Sequence, residues 1–391
     1  MNAIPLFEFK SPTRILFGLN AIEQIGDAVR SFAVNNVFLV TDKGVADCGV
    51  LDRVVAPLAR LTINYEVFDE VESNPSVQTI ERGAQRFAAQ PDRLIVALGG
   101  GSPIDAAKAI AVKATHADPI NDYTRHGNKV VRNVIPPLIA IPTTAGTGSE
   151  VTWVSVLVDH RLKRKIVIPS VHIAPKLAIL DPSLTRTLPP AIGAATGMDA
   201  LTHAIETYVS LKSEPISDAL ALRAIQMISP NLREVVSNGE NLEARSQMLL
   251  ASTMAGLAFI NGSVGLVHSL AQALGGRHDV PHGLANAIML PVVMRYNLKA
   301  KPSQYSAIAR AMGENIDGLS TLEAAQKAVV AVAKLADEIG IPRSLEALGI
   351  KESMFDQLAE DAMDDKGSFP FNPRRPTKKE VVELLQEALR A

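Results

Sequence analysis

The sequence contains little cysteine, few aromatic residues and no excess of either charge. Cys48 is the only cysteine among 391 residues, so the chain cannot form an internal disulfide or a cysteine-based zinc site. This usage is typical of a reducing compartment, and we expect a cytoplasmic protein. Lysine and arginine total 39 against 41 acidic residues, and aromatic residues make up 4%. Nucleic acid would need a cationic field or stacking platforms, so we predict no nucleic-acid partner.

Long apolar runs are also missing. No stretch reaches the roughly 18 uninterrupted apolar residues that a membrane span requires. Residues 1–10 lack the basic start and apolar block of a secretory signal. We therefore predict no membrane partner. At about 150 residues per domain, the length favours two or three domains.

The first half of the chain alternates short apolar runs with helical stretches, up to about residue 188. This alternation predicts a Rossmann-like parallel sheet with helices on both faces, that is, an α/β domain over residues 1–188. The predicted strands are residues 37–41, 63–68, 94–98, 138–141 and 177–180. The predicted helices include 77–89 and 105–114. We also predict a β-hairpin, at 153–158 and 165–168, that is appended to the sheet.

The second half shows helical periodicity and few β-type runs. Several of these stretches are rich in Ala, Leu and Met and are apolar around most of the helix circumference, which predicts burial in a bundle. We therefore predict an all-α helical bundle domain over residues 189–391, beginning where Pro189 and Pro190 would stop a preceding element. The predicted helices are 193–210, 215–236, 241–260, 264–275, 283–298, 302–312, 321–339, 352–363 and 377–390, and residues 369–376 are predicted to be a loop.

A glycine-rich loop follows the predicted strand 94–98. Gly99, Gly100 and Gly101 precede Ser102 and a helix. Glycines let a backbone approach a ligand closely, and the N–H groups at a helix start attract phosphate. The loop also lies at the carboxyl end of a parallel strand, where open α/β sheets bind ligands. A plain tight turn is the alternative, because the spacing is neither the usual dinucleotide fingerprint nor a Walker loop.

A second polar loop, residues 142–150 (PTTAGTGSE), follows another predicted strand. Two such loops at different strand ends predict a site for the pyrophosphate and ribose of a dinucleotide. Asp42 ends the first predicted strand, where a carboxylate could accept hydrogen bonds from a ribose 2′-OH and repel a 2′-phosphate, which favours NAD over NADP. The alternative role for Asp42 is that of a helix N-cap.

Four side chains of the helical half suit a divalent cation. Asp199 and His203 are four residues apart in a helical stretch, which places them on one face. His268 lies in a second helical stretch, and His282 lies at the start of a third. One carboxylate and three imidazoles can close around a metal and leave a position for a substrate oxygen. The alternative is that each histidine is an ordinary hydrogen-bonded core residue.

These motifs resemble those of the iron-containing, or group III, alcohol dehydrogenases along nearly the whole chain. Residues 99–108 are similar to the family's GGGSxxDxAK loop, 142–150 to its PTTAGTGSE segment and 197–206 to its GxDALxHAxE segment. His268 and His282, fourteen residues apart, look like its last two ligand positions.

The resemblance implies a metal- and NAD(H)-dependent alcohol dehydrogenase or aldehyde reductase, with its active site between an N-terminal dinucleotide-binding domain and the helical domain. It implies Fe²⁺, with Zn²⁺ as the alternative, and a homodimer or larger homo-oligomer. The implied metal ligands are Asp199, His203, His268 and His282. The implied NAD contacts are Asp42, Asn74, Gly99, Gly100, Ser102, Asp105, Thr143, Thr144, Thr147 and Lys165.

The sequence departs from the family at one position. Family members commonly carry a second histidine four residues after the third ligand, whereas this chain has Gln272 there. That histidine has been considered for proton transfer. His278, which falls where many members have an aromatic residue, is our candidate for the role or else a residue that lines the cleft. His268, a ligand beside the substrate, is our other catalytic candidate.

The implied reaction is hydride transfer between a primary or small secondary alcohol and C4 of nicotinamide, with the metal polarising the substrate oxygen. Candidates for an apolar pocket wall, or else for plain core, are Val154, Phe259, Phe369 and Phe371.

Two other classes remain open. A metal- and NAD-dependent lyase similar to dehydroquinate synthase would need cations near the cleft for an acidic substrate, and only Arg277, Arg374 and Arg375 suggest them. A non-catalytic nucleotide-binding protein would tolerate loss of the metal ligands, although all four are present.

Overall fold

The computed structural model describes residues 6–90 and 92–390. Its first half contains a six-stranded sheet with the order β1-β8-β5-β4-β2-β3, in which every neighbouring pair is parallel. The strands are β1 (Arg14–Phe17), β2 (Asn36–Val40), β3 (Asn64–Phe68), β4 (Leu94–Gly99), β5 (Leu138–Pro142) and β8 (Leu177–Leu180). The predicted parallel sheet is confirmed, and the five predicted strands lie within one residue of their observed bounds.

Strand β1 was not predicted. It lies at one edge of the sheet, pairs only with β8, and is largely exposed, with Ile15 and Phe17 at 37% and 40% exposure. An edge strand with this exposure shows no buried apolar run in the sequence.

Helices cover both faces of the sheet. They are α1 (Ile25–Arg30), α2 (Lys43–Asp47), α3 (Val50–Arg60), α4 (Val77–Ala88) and α5 (Gly101–Thr115). Alternate strand residues enter two separate cores: Phe38 and Ile95 pack with the α4 and α5 side, whereas Leu39 and Val96 pack with the α1 and α3 side. Burial on both faces explains why these strands read as continuous apolar runs.

The predicted hairpin is present but is not part of the main sheet. Strands β6 (Val154–Asp159) and β7 (Arg164–Pro169) pair antiparallel in a two-stranded sheet of their own. A single bridge joins Val158 to Ser76, at the start of α4. The hairpin therefore extends beyond the sheet and lies over the carboxyl end of its central strands.

The second half is helical, as predicted. Its helices are α6 (Pro190–Val209), α7 (Pro215–Ser237), α8 (Leu242–Gly262), α9 (Leu266–His278), α10 (His282–Asn297), α11 (Pro302–Ala311), α12 (Thr321–Glu338), α13 (Phe355–Met363) and α14 (Lys378–Arg390). Helix α6 begins three residues before its predicted start because Pro190 occupies the first helical turn, where its missing N–H costs nothing. The predicted loop at 369–376 contains one short 3-10 turn, Phe369–Phe371.

No single helix of the described residues has the length and apolar composition of a membrane span. Only α8 and α9 taken together pass that test, and they meet at a bend of 101°.

Candidate active site

A cleft of about 1070 Å³ lies between the two halves of the molecule. Its walls come from the loops that follow β4 and β5, from the β6–β7 hairpin, and from α6, α8, α9 and α10. The carboxyl ends of the central parallel strands therefore face the buried helices, which is where open α/β sheets bind their ligands.

The two loops predicted to bind a dinucleotide are in contact. A Cβ on Gly100 would lie 3.2 Å from Thr144, and a Cβ on Gly101 would lie 2.8 Å from Thr147. Glycine at these positions lets the start of α5 approach the second loop closely. The hydroxyl oxygen of Thr144 is buried without a partner among the described residues. An unpaired polar atom on the cleft wall fits a polar ligand at this place.

Seven of the ten predicted NAD contacts line this cleft, and three do not. Those that line it are Asn74, Gly100, Ser102, Asp105, Thr144, Thr147 and Lys165. Gly99 and Thr143 lie behind the lining, and the backbone N–H of Thr143 donates to the carbonyl of Gly99 at 3.0 Å. Asp42 also lies outside the lining and caps α2, since its Oδ1 accepts from the backbone N–H of Val45 at 2.9 Å.

Lys108, the buried last residue of the GGGSxxDxAK motif, has a role that the sequence did not predict, since it connects these segments. The Nζ of Lys108, on α5, donates to Oγ of Ser149 and to the carbonyl of Val154, both at 2.8 Å, and pairs with Asp105 at 3.3 Å. Asp105 also accepts from the backbone N–H of Val156 at 2.9 Å. The glycine loop, the second loop and the hairpin are therefore held together by one internal ion pair.

The four predicted metal ligands come together at the other wall of the cleft. Asp199, His268 and His282 each offer a ligand atom, and these atoms all lie within 4.8 Å of one another. The Nε2 of His203 is 3.9 Å from Oδ1 of Asp199, and its ring stacks on that of His268 with centroids 4.5 Å apart. Asp199 and His203 come from one face of α6, His268 from the first turn of α9, and His282 from the first position of α10.

Burial and mutual charge set the protonation of this group. Burial alone would raise the pKa of Asp199, but the three imidazoles outweigh it and hold that pKa well below its usual range. Burial lowers the pKa of His203 to about 4 and that of His282 well below its ordinary value. An ionised carboxylate beside neutral imidazoles is the state in which these residues bind a divalent cation.

His268 differs because it has carboxylates on both sides. Burial lowers its pKa, but hydrogen bonds to Asp199 and Glu206 raise it to about 9. Nearby Lys165 is half-buried on the cleft wall, and desolvation lowers the pKa of its ammonium to about 8, although Asp199, Asp279 and Asp105 act in the opposite direction.

Two further residues of this group were missed by the sequence analysis. Glu206 accepts from Nδ1 of His268 at 2.7 Å. Its position seven residues after Asp199 and three after His203, on the same helical face, was the available signal. The Nδ2 of Asn286 donates to Oδ1 of Asp199 at 2.6 Å and lies 3.2 Å from Nε2 of His282. The available signal for Asn286 was its position four residues after His282, on the same face of α10.

The donor set fits a divalent transition metal. One ionised carboxylate and imidazole nitrogens from three helices converge in a buried pocket that opens to the cleft, and nitrogen and oxygen ligands of this kind suit Fe²⁺ and Zn²⁺. The carboxylate behind His268 is the usual outer partner of a metal-binding imidazole.

The two candidates for proton transfer lie in different places. Gln272, one turn after His268 on α9, lines the cleft. His278 is the last residue of α9, is exposed and does not line the cleft. The structure therefore brings Gln272, rather than His278, together with the metal-ligand group.

Most of the predicted apolar wall is present. Val154, Phe259 and Phe371 line the cleft, whereas Phe369 packs against the helical core. Phe259 stacks on His203 with ring centroids 4.3 Å apart.

The cations suggested for an acidic substrate are engaged elsewhere. Arg277 pairs with Asp361, Nη2 to Oδ1, at 2.9 Å, and Arg374 lies over the ring of Tyr296 at 3.9 Å. Neither these two arginines nor Arg375 line the cleft.

Comparison with known proteins identifies the family. Residues 12–182 match the family described as iron-containing alcohol dehydrogenase, and residues 193–389 match the C-terminal part of the Fe-containing alcohol dehydrogenase family. The 1,3-propanediol dehydrogenase of Citrobacter freundii is 44% identical over 98% of this chain and 99% of its own length.

Solved structures agree. The crystal structure of a 1,3-propanediol oxidoreductase superposes with a TM-score of 0.95 at 43% identity and covers 98% of this chain and 100% of its own. The sulfoacetaldehyde reductase of Bifidobacterium kashiwanohense, solved with NAD⁺, has a TM-score of 0.88 at 32% identity over 98% of this chain and 99% of its own.

The fold and the site define a two-part oxidoreductase with a parallel-sheet α/β half and a mostly helical half. The chain belongs to the iron-containing alcohol dehydrogenase family. It is an NAD-dependent alcohol dehydrogenase or aldehyde reductase that acts on a small molecule, and the cofactors of its family are NAD and Fe²⁺. The lyase and the non-catalytic alternatives are not favoured, since the relatives are dehydrogenases and reductases.

Proposed function

We propose that this enzyme interconverts a short primary alcohol and its aldehyde, with Asp199, His203, His268 and His282 holding Fe²⁺ and the two strand-end loops holding NAD(H). The observation that carries the proposal is the grouping of one carboxylate and imidazoles from three separate helices on one wall of the cleft, opposite the glycine loop. Zn²⁺ is the second candidate ion, because the same donors suit it.

The reaction is reversible transfer of a hydride from the alcohol carbon to C4 of nicotinamide, with loss of the hydroxyl proton. A bound divalent cation supplies Lewis acidity toward the substrate oxygen. The residues of the chain provide the setting. Glu206 orients the ring of His268, and Phe259 covers one face of His203, which keeps water from that side. Gln272 lies on the cleft wall within one turn of His268, where its amide can hydrogen-bond to substrate.

The proposal includes a division of the chain into a nucleotide-binding domain over residues 1–188 and a metal-binding domain over 189–391. Its support is that the last sheet strand ends at Leu180 and α6 begins at Pro190. We also propose a cytoplasmic homodimer, in which the exposed edge strand β1 is available for pairing.

The test combines turnover with separate measurements of metal and nucleotide. NADH absorbance is followed with 1-propanol and 1,3-propanediol in the presence of NAD⁺, and with the corresponding aldehydes in the presence of NADH, before chelation and after Fe²⁺ is restored. Activity that is lost on chelation and returns with Fe²⁺ is expected. Turnover that persists in metal-free protein would contradict the proposed role of the ion.

The His268→Ala variant separates the two cofactors. We expect it to lose turnover and bound metal while NADH binding persists. The protein has one tryptophan, Trp153, which lines the cleft, so energy transfer from Trp153 to NADH reports nucleotide binding directly. Wild-type metal content in this variant would remove His268 from the proposed ligand set.

A further inference from the structure

One end of the cleft is lined by two cations that the reaction described above does not use. Arg125 follows the short 3-10 turn Ile120–Tyr123, and its backbone N–H donates to the carbonyl of Val167 in β7 at 2.9 Å. Its side chain is 26% exposed and lines the cleft. A Cβ on Gly367 would overlap its guanidinium, so glycine at 367 makes room for this arginine.

Arg125 is only partly paired. Its nearest carboxylate is that of Asp365, with Nη1 3.5 Å from Oδ1. The oxygens of Asp365 have other donors: Oδ1 accepts from the backbone N–H of Gly367 at 2.9 Å, and Oδ2 accepts from Oγ of Ser269 at 3.1 Å. Within residues 6–90 and 92–390, no hydrogen bond joins the guanidinium to an acceptor. Its fork of N–H donors therefore remains available to an oxyanion in the cleft.

Lys212 is the second cation. It lies just beyond the end of α6 and lines the same cleft, with its ammonium 5.8 Å from the ring centroid of Phe371. No carboxylate of the described part of the chain forms an ion pair with it. Burial and, next, the charge of Arg125 lower its pKa. Both cations border the segment 367–371, Arg125 at Gly367 and Lys212 at Phe371.

Carboxylates do not neutralise this end of the cleft. The carboxylate of Asp365 is shared among Arg125, the backbone N–H of Gly367 and the hydroxyl of Ser269. Asp364 lies 3.6 Å from Nη1 of Arg164 and 3.9 Å from Nε2 of His126. Both cationic side chains thus line the cleft wall, with one shared carboxylate beside Arg125, and excess positive charge at a concave surface is stabilised by an anion.

The cationic end is within reach of the metal-ligand group. Helix α6 continues for six residues beyond His203, a rise of about 9 Å, and Lys212 follows three residues later. From the other side, Ser263 lies five residues before His268. Its Oγ donates to the carbonyl of Gly367, the residue that contacts Arg125, at 2.9 Å. Phe259 and Phe371 line the cleft as well. The two cations and the metal-ligand group therefore border one cavity, in which the aliphatic part of a substrate can pack between them.

We propose that the physiological substrate carries a terminal oxyanion, a carboxylate or sulfonate, which Arg125 and Lys212 bind while the alcohol or aldehyde at its other end reacts. This inference rests on the proposed function and specifies its substrate class. The anionic group is a spectator: the alcohol carbon loses a hydride to NAD⁺, the hydroxyl proton is released, and the charge at the far end is unchanged. The two side chains determine specificity through contact with that charge.

The experiment compares charged and neutral aldehydes of matched length. The kcat/KM values of the iron-loaded wild-type enzyme with NADH are measured for succinic semialdehyde and for butanal, and sulfoacetaldehyde provides a shorter sulfonate arm. We expect one of the two anions to exceed butanal by about tenfold or more, and the preference to fall as ionic strength rises. The better anion shows which of these two combinations of charged group and chain length the cleft accepts.

Variants test the two cations. Arg125→Gln and Lys212→Gln should each lower the ratio of charged to neutral kcat/KM by about tenfold, through KM. Lys212→Arg should restore most of it. Arg374→Gln is the matched control, since Arg374, like Lys212, lies over an aromatic ring but is outside the cleft. In this variant the ratio of charged to neutral kcat/KM should equal that of wild type. Lys212 is exposed, so its variants test the inference even if Arg125→Gln does not fold.

The outcomes are distinguishable. Wild-type enzyme that reduces butanal as well as both anions would overturn this inference and leave the proposed function intact. A charge preference that survives in Lys212→Gln and Arg125→Gln would also overturn it. No turnover of any of these aldehydes, or of neutral diols, would instead count against the proposed function.

Discussion

Glu206 accepts a hydrogen bond from Nδ1 of His268 at 2.7 Å, and the same carboxylate accepts from the backbone N–H of Val267 at 2.7 Å. One buried residue of α6 therefore holds both the first turn of α9 and the imidazole that this turn carries. Because Nδ1 donates to Glu206, Nε2 faces Asp199 and lies 3.6 Å from its Oδ1. The contact of α6 with α9 through Glu206 thus sets the orientation of the proposed metal ligand His268.

Replacement of the Glu206 carboxylate should lower the affinity for metal more than it lowers the stability of the fold. Glu206→Gln retains an oxygen acceptor but loses the charge, and we expect its metal affinity to fall by about tenfold to a hundredfold, as measured by competition with a chelator. The matched control is Glu214→Gln, because Glu214 caps α7 in the same way, accepting from Ile216 and Ser217 at 2.8 Å. An equal loss of metal affinity in both variants would show that a damaged helix start is the cause.

The choice between NAD and NADP tests the position of Asp42. The carboxylate caps α2 and lies near Gly99, with Oδ2 3.3 Å from where a Cβ on Gly99 would be. Asp42→Ser keeps an oxygen that can cap the helix but removes the charge. If Asp42 faces the ribose, the kcat/KM ratio of NAD over NADP should fall by about tenfold or more. An unchanged ratio in a stable variant would leave Asp42 with the capping role alone.

The proton-transfer role predicted for His278 can be tested directly. His278 is exposed at the end of α9, whereas Gln272 lines the cleft. From these positions we expect His278→Asn to keep kcat and its pH profile. Gln272→Ala should lower kcat/KM by about fivefold, the effect of about 1 kcal/mol for one hydrogen bond. A pH profile that loses an ionisation in His278→Asn would restore the original prediction.

Asp218 should make the stability of the fold depend on pH. The carboxyl is half-buried at the start of α7, and burial and then Glu214 raise its pKa from 3.8 to about 6, although Ser213 and Lys301 act in the opposite direction. The folded state therefore binds this proton more tightly than the unfolded state. The resulting contribution to stability is complete below pH 3.8 and is lost as the pH rises through 6.

Asp218→Asn removes that dependence. The variant should gain stability at pH 8, by about 1 kcal/mol once the partial exposure of the group is allowed for, and gain less at pH 5. Thermal unfolding at the two pH values measures the difference. Asp52→Asn is the control, since Asp52 lies exposed in the first turn of α3. A gain for Asp218→Asn that does not change with pH would contradict the assignment.

Much of the fold followed from the periodicity of apolar residues. The central strands are buried on both faces, and the helices of the second half are buried most of the way round, so each produces a strong local pattern. Strand β1 was missed because its side chains are largely exposed, and the hairpin was joined to the wrong sheet because pairing partners are not a local property.

The residues that the sequence did not reveal act through partners far along the chain. Glu206 and His268 are 62 residues apart, and Nζ of Lys108 meets Ser149 from 41 residues away. Arg125 is positioned by Gly367 and Asp365, from the opposite half of the molecule. None of these pairs has a spacing that helix or strand geometry could predict.

The amino-acid sequence by itself determined the element types, the two halves and the set of candidate ligands, because each depends on short-range periodicity and on residue chemistry. Only the tertiary structure decided which side chains face the cleft. It placed Gln272 there and His278 outside, and Arg125 and Lys212 there instead of Arg277 and Arg374. The physical reason is that exposure to a shared cavity depends on how distant elements pack, which residue spacing along one element does not record.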